Sequence, residues 1–264
     1  MQRKIRFNNG QINYEVSGEG EAVVLIHGFM EDHRIWEDFI RELSGSYKVI
    51  AVDLPGHGGS SVFSEIHTMP FMASAVQAVL VEEDVSTCIM VGHSMGGYVT
   101  MAFADKFQNM LRGIVLFHSH AASDSATGRE NRERAIKIVR GDHGNFIHNF
   151  IPTMFCEDQA DQYEKEIAVL RERSMQMPVE GIVAAIAGMR DRKDLKELLS
   201  TMNIPVFFIV GKKDSKISME MIMEQLPLPA NSEALIIDNV GHMGFIEARD
   251  LTLKSLHHFI ARNI

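Results

Sequence analysis

Ser94 lies in the stretch "MVGHSMGGYVT", Met90 to Thr100, with Gly92 two residues before it and Gly96 two residues after. An apolar run, Cys88–Val91, precedes it, and a helix-forming run follows. A serine on a sharp strand-to-helix turn projects its hydroxyl above the strand ends, provided that the flanking residues are small enough to clear their neighbours. It also stands at a helix N-terminus, where free backbone N–H groups face any negative charge that develops. The plainer alternative is a capping serine in a glycine-rich helix start; the apolar run before it and the helix after it favour a nucleophile. A serine hydroxyl is a weak nucleophile without a base. His242, in a Gly-His turn soon after the apolar run Ala234–Ile237, is placed to be that base. An imidazole in that role needs a carboxylate to fix its tautomer and stabilise its charged form. Asp214, in the loop after Pro205–Val210, is the preferred acid, its other reading being a turn or N-cap aspartate. Asp124, in the loop after Gly113–Phe117, is the rival, and Asp238 reads as the end of its own strand. The chemistry implied is acyl transfer through a covalent intermediate.

These side chains are far apart in sequence, so the elements between them must converge. The strand-like runs are Ala22–Ile26, Lys48–Val52, Cys88–Val91, Gly113–Phe117, Pro205–Val210 and Ala234–Ile237. Most are short and nearly all apolar, as strands buried on both faces are. Helical patterns fall between most of them: Asp32–Leu43, Met69–Val81, Met95–Phe107, Met219–Leu226 and Ile246–Ile260. The N-terminus reads as two short strands around an Asn-Asn-Gly turn. The alternation predicts an α/β fold with a mostly parallel central sheet covered by helices on both faces. Between Phe117 and Pro205 no strand is legible, and three helical stretches, "GRENRERAIKIVRG", "QADQYEKEIAVLRERSMQM" and "VEGIVAAIAGMRDRKDLKELLS", fill the interval. That is too long for one crossover. The expected division is a sheet domain of residues 1–120 and 191–264, a helical cap at 121–190, and an ordinary crossover helix at Asp191–Ser200.

The bulk numbers set limits on partners. The 264 residues suit one large domain or a domain with an insertion. A net charge of −9 without a dense Lys/Arg run argues against nucleic acid and acidic lipid surfaces. No apolar stretch reaches the roughly 18 residues of a membrane span, and no signal-peptide pattern opens the chain. Cys88, in an apolar strand pattern far from Cys156, reads as a buried free thiol, so a cytoplasmic setting is expected.

The order Ser94, Asp214, His242 is that of α/β-hydrolases, and the chain resembles this superfamily over nearly its whole length. The residues that carry the likeness are "HGF" at His27–Phe29, "DLPGHGGS" at Asp53–Ser60, "GHSMGG" at Gly92–Gly97, "GKKD" at Gly211–Asp214 and "GH" at Gly241-His242. The resemblance implies a catalytic triad of those three residues and an oxyanion hole made by the backbone N–H groups of Phe29 and Met95. It also implies hydrolysis without a metal or organic cofactor, the partners being a small-molecule ester and water. Phe29, Met95, His118 and Met243 are expected to line the substrate site. His27 reads as a loop-fixing residue and Asp53–Gly58 as a structural turn. A serine at the elbow sets aside the dehalogenases and epoxide hydrolases of this fold, which use aspartate there. Carbon–carbon bond hydrolases, thioesterases, perhydrolases and a ligand-binding receptor remain alternatives to a carboxylesterase. Methionines 154, 175, 177 and 189, with Phe29, Trp36, Phe146, Phe150 and Phe155, suggest an apolar acyl pocket under the cap.

Overall fold

The computed structural model describes residues 1–264. Two N-terminal strands, β1 (Gln2–Phe7) and β2 (Gly10–Ser17), form an antiparallel hairpin that turns at Asn8, which takes a positive φ of 47°. Asparagine tolerates that conformation better than most residues. Six strands follow: β3 (Ala22–Ile26), β4 (Lys48–Val52), β5 (Cys88–His93), β6 (Leu111–Phe117), β7 (Val206–Gly211) and β8 (Ser232–Ile237). They complete an 8-stranded sheet in the order β1-β2-β4-β3-β5-β6-β7-β8. β2 meets β4 antiparallel, and every pairing from β4 to β8 is parallel. β3, β5 and β7 are buried at every position, which is why their sequences are apolar runs without alternation. β8 closes the edge and alternates between half-buried and exposed residues.

The helices are α1 (Glu37–Leu43), α2 (Met69–Glu82), α3 (Met95–Phe107), α4 (Ala126–Phe150), α5 (Glu164–Met175), α6 (Val179–Arg190), α7 (Lys196–Thr201), α8 (Met219–Gln225), α9 (Gly244–Glu247) and α10 (Arg249–Asn263). Three expectations need adjustment. The helix expected over Asp32–Leu43 is two pieces: Asp32 caps a 3-10 turn, His33–Trp36, and α1 begins after it. The helix expected over Ile246–Ile260 is broken at Ala248, between α9 and α10. The crossover helix expected over Asp191–Ser200 is confined to Lys196–Thr201. There Arg192 turns inward, donating from Nε to the Ala122 carbonyl at 3.0 Å and from Nη1 to the Met189 carbonyl at 2.9 Å, so its segment leaves helical geometry.

The interval after β6 is helical throughout its elements, as the sequence implies. α4 runs past the expected end at Gly141: the backbone breaks at Asp142 (φ −155°, ψ 84°), whose Oδ1 then caps a further stretch by accepting the Asn145 N–H at 2.9 Å. That second stretch carries Phe146 and Phe150. α6 is buried from Gly181 to Met189 and lies on the turn after β4. A Cβ on Gly181 would stand 2.5 Å from the Gly56 carbonyl oxygen, so the two backbones touch. One contiguous apolar cluster joins the sheet core to Ile147 and Ile182 of these helices. Cys88 and Cys156 are both buried and free. No helix is long and apolar enough to cross a membrane.

Candidate active site

β5 ends at His93, and Ser94 takes φ 51° and ψ −114° before α3 begins at Met95. A non-glycine residue there costs of order 1–3 kcal/mol and persists only where its surroundings over-determine it. They do. The Ser94 N–H donates to the Phe117 carbonyl at 3.0 Å, and its own carbonyl accepts from Ser119 Oγ at 2.8 Å. A Cβ on Gly92 would lie 2.3 Å from the Gly96 oxygen, and one on Gly96 would lie 2.4 Å from the Ile26 oxygen. The small residues flanking the serine are thus required by the packing of β5 against α3 and β3. The Ser94 side chain caps nothing in the helix it heads, so the capping-serine alternative has no support in the geometry.

The loops after β7 and β8 bring Asp214 and His242 together: His242 Nδ1 stands 2.8 Å from Asp214 Oδ2. Ser94 and His242 line one cavity of about 430 Å³ with Phe29 between the sheet and the helices above it. No hydrogen bond joins Ser94 Oγ to His242 in this conformation, and in ligand-free sites such contacts are often long. The Asp214 carboxylate is held by four donors. Oδ2 takes His242 and His118, the latter at 3.0 Å, and Oδ1 takes the N–H groups of Lys216 and Ile217 at 2.8 and 3.1 Å. Burial alone would raise its pKa, but His242 and His118 together hold it well below the usual carboxylate range, so it is ionised. Asp124 reaches no histidine; it pairs with Arg132 and Arg192.

His118 differs from its expected place. It is fully buried behind Asp214, with Nδ1 turned to the acid, and is not part of the cavity wall. Facing an ionised carboxylate, that nitrogen must carry the proton and donate. Burial drives the His118 pKa down to about 4, so the ring is neutral. Met243 is likewise fully buried and off the cavity wall, as is the Met95 side chain. Met95 keeps the role open to its backbone: its N–H and that of Phe29 have no protein acceptor. The expected apolar contributors divide. Phe29, Phe146, Phe150, Met154 and Met189 line the cavity, whereas Trp36 packs against Phe39, Phe117 and Phe245, and Phe155 stacks on Tyr163.

Sequence reasoning missed a buried pair that ties these loops together. His93 Nδ1 lies 2.9 Å from Glu31 Oε2, and its Nε2 lies 2.9 Å from the His242 carbonyl oxygen. Glu31 Oε2 also accepts the Gly28 N–H at 2.5 Å. Both partners of the ring are acceptors, which calls for an imidazolium beside a carboxylate. Burial alone would depress the His93 pKa, but Glu31 and the His242 carbonyl hold it above the ordinary histidine value. The residue before Ser94 thereby fixes both the Gly28 loop and the His242 loop. The only sequence signal was its neighbourhood to Ser94. His27 fixes the same loop: Nε2 accepts the Leu54 N–H at 2.9 Å, and Nδ1 donates to the Gly28 carbonyl at 2.7 Å.

The buried histidines also set a pH dependence of stability. Burial lowers His57 and His120 to about 3 and His118 to about 4. Their folded pKa values lie below the unfolded value of 6.5, so their contribution is full above pH 6.5 and is lost as pH falls. Each group costs at most ~1.4 kcal/mol per pH unit in that window. His33 and His93, whose values are raised, stabilise the fold fully below pH 6.5 and lose that contribution as pH rises above it, so between pH 7 and pH 5 they offset part of the loss from the three lowered rings. The expected result is a Tm roughly 5–15 °C lower at pH 5 than at pH 7 by calorimetry. An unchanged Tm would show that these rings are not held neutral.

A family model for the alpha/beta hydrolase fold matches residues 21–249. The pimeloyl-[acyl-carrier protein] methyl ester esterase of Aeromonas hydrophila subsp. hydrophila is 27% identical over 262 residues, covering 94% of this chain and 99% of that protein. A thermophilic esterase from Thermogutta terrifontis, solved with malate bound, superposes with a TM-score of 0.92 at 30% identity, covering 99% and 98% of the two chains. An esterase from Exiguobacterium antarcticum, at 20% identity and a TM-score of 0.90, covers 99% of this chain and 100% of its own and shares the fold.

Proposed function

Because the chain belongs to the alpha/beta hydrolase fold family, we propose that it is a serine hydrolase acting on small to medium carboxylic esters. The observation that carries this is Ser94 at a strained elbow, facing the same cavity as a histidine whose Nδ1 is 2.8 Å from a buried, ionised Asp214. The names of the relatives, a methyl ester esterase and an esterase, support the same reaction class.

In this reading Ser94 Oγ attacks the ester carbonyl carbon as His242 Nε2 takes its proton. The oxygen that becomes anionic accepts from the N–H groups of Phe29 and Met95, at the head of α3, where the helix dipole adds to the field. His242 then gives the proton to the departing alkoxide and the acyl group stays on Ser94. Water loses a proton to His242 and attacks the acyl carbon; the acid leaves and Ser94 regains its hydrogen. Asp214 keeps the Nδ1 proton in place throughout and stabilises the imidazolium. Residues 121–190 act as a cap in this reading, which is supported by Phe146 and Phe150 of α4 and Met189 of α6 in the cavity wall. The cavity volume and its aromatic side fit an acyl group of a few carbons.

The test is turnover of p-nitrophenyl acetate and butyrate, with mass spectrometry after a fluorophosphonate. We expect release of p-nitrophenol and a single covalent adduct on Ser94. A chain that neither turns over these esters nor takes the label would be a binding protein on a hydrolase scaffold.

A further inference from the structure

The cavity above Ser94 carries more positive charge than ester cleavage requires. Arg132 of α4 and Lys216, two residues beyond Asp214, both line it, and Asp124 is the one carboxylate in the wall. Asp124 is shared: Oδ1 pairs with Arg192 Nη1 at 2.7 Å, and Oδ2 accepts Arg132 Nε at 3.2 Å. Arg192 commits its other contacts to the Ala122 and Met189 carbonyls. Arg132 has no further protein acceptor, so both of its terminal nitrogens are free. Lys216 has no carboxylate partner within salt-bridge distance. Its Nζ donates to Thr153 Oγ1 at 2.7 Å and lies 5.0 Å from the centre of the Phe150 ring. Neither contact cancels its charge. Burial lowers its pKa, with Asp214 opposing and Arg132 adding to the fall, which places the two cations within reach of one another's field.

The position of Lys216 is fixed by the triad itself. Its backbone N–H caps Asp214 Oδ1, so its side chain departs from the immediate neighbourhood of the acid into the cavity. Arg132 enters from the helix above. A planar guanidinium with unused N–H groups and an ammonium on one small cavity form a receptor for a carboxylate. One carboxylate, Asp124, is shared between Arg132 and Arg192, and Lys216 has none, so the positive charge of the wall is only partly compensated; such a surplus is costly in a partly desolvated wall unless a ligand completes it. The overall charge of −9 makes their accumulation here the more specific.

We propose that this cavity selects half-esters of short dicarboxylic acids, with the free carboxylate held by Arg132 and Lys216 while the ester carbonyl rests on Ser94. The inference rests on the serine esterase reading and deepens it. The reaction is ordinary hydrolysis: water adds across the acyl–oxygen bond, releasing methanol and the dicarboxylic acid from a monomethyl ester.

The test compares kcat/KM for monomethyl glutarate and methyl pentanoate, which differ chiefly in the terminal charge. The chain as it stands is expected to prefer the half-ester. Lys216→Met and Arg132→Met should each lower the ratio of the two kcat/KM values by about 10–100-fold, the worth of one hydrogen bond to a charged group. The shift should be mainly in KM, and the preference should shrink between low and high salt. A ratio that neither substitution moves, or an original preference for methyl pentanoate, overturns the proposal. Glutarate binding by calorimetry separates the two readings. Binding that Lys216→Met abolishes, in a chain without turnover of any ester, keeps the anion site and removes the esterase. Glutarate binding unchanged in both variants removes the anion site whatever the activity.

Discussion

Ser94→Ala is expected to lower kcat by roughly 10⁴–10⁶ while leaving the fold intact. The size follows from what the substitution removes. Without Oγ no acyl-enzyme forms, and His242 and Asp214 lose the group they serve. Residual turnover of about 10³–10⁴ over water would come from binding and from the Phe29 and Met95 N–H groups alone. Alanine keeps the Cβ, so it inherits the φ of 51° and its strain. Ser94→Gly should abolish activity equally but raise Tm above that of the alanine variant, because glycine adopts positive φ without the Cβ clash. Initial rates with p-nitrophenyl butyrate and thermal melts of both variants check this. Activity of Ser94→Ala within tenfold of the original would remove Ser94 from the mechanism. Equal melting temperatures would show that the elbow stores no strain.

How far these residues could be read from the sequence depended on whether a local pattern encodes the contact. The parallel sheet was legible because β3, β5 and β7 are buried on both faces, and burial leaves nothing but apolar residues to write. The turn at Ser94 was legible because its glycines answer to backbone clashes a few residues away. His242 and Asp214 could be nominated because each follows a recognisable strand, although only the fold shows that they meet. His118 was misplaced for the opposite reason. Its position after β6 points toward the site, but whether a ring faces the cavity or the back of the acid depends on φ at one residue, here 47°, and on Gly244, whose absent side chain leaves room for Nε2. The Glu31–His93 pair joins residues 62 apart and has no periodicity to betray it. The interval 121–190 gave up its helices and withheld its surface. An Arg in "GRENRER" is a solvated charge by pattern, and only packing against Asp124 turns Arg132 toward the cavity.

Asp214→Asn should cost about 10⁴ in kcat, whereas Asp124→Asn should leave the chemical step within about tenfold. The argument is one of donor and acceptor count. The carboxylate accepts from His118 and His242 on Oδ2 and from two backbone N–H groups on Oδ1. An amide has one acceptor atom. With its oxygen toward the backbone, the NH2 meets two imidazole nitrogens that were donating. To accept from it, His242 must move its proton to Nε2, which then faces Ser94 as a donor and cannot act as base. With its oxygen toward the imidazoles, the NH2 is driven against the N–H groups of Lys216 and Ile217, and the loop that holds the residue must shift. Either orientation also removes the negative charge that stabilises the His242 imidazolium in both transition states. Asp124 stands in neither relation, since its partners are Arg132 and Arg192. Single-turnover rates of acylation and deacylation should fall together in Asp214→Asn, because the same imidazole works in both steps. A larger loss in Asp124→Asn would move the acid to the loop after β6. A near-normal Asp214→Asn would mean that His242 is oriented by the loop contacts of its backbone, the Met154 carbonyl and His93, and not by the carboxylate.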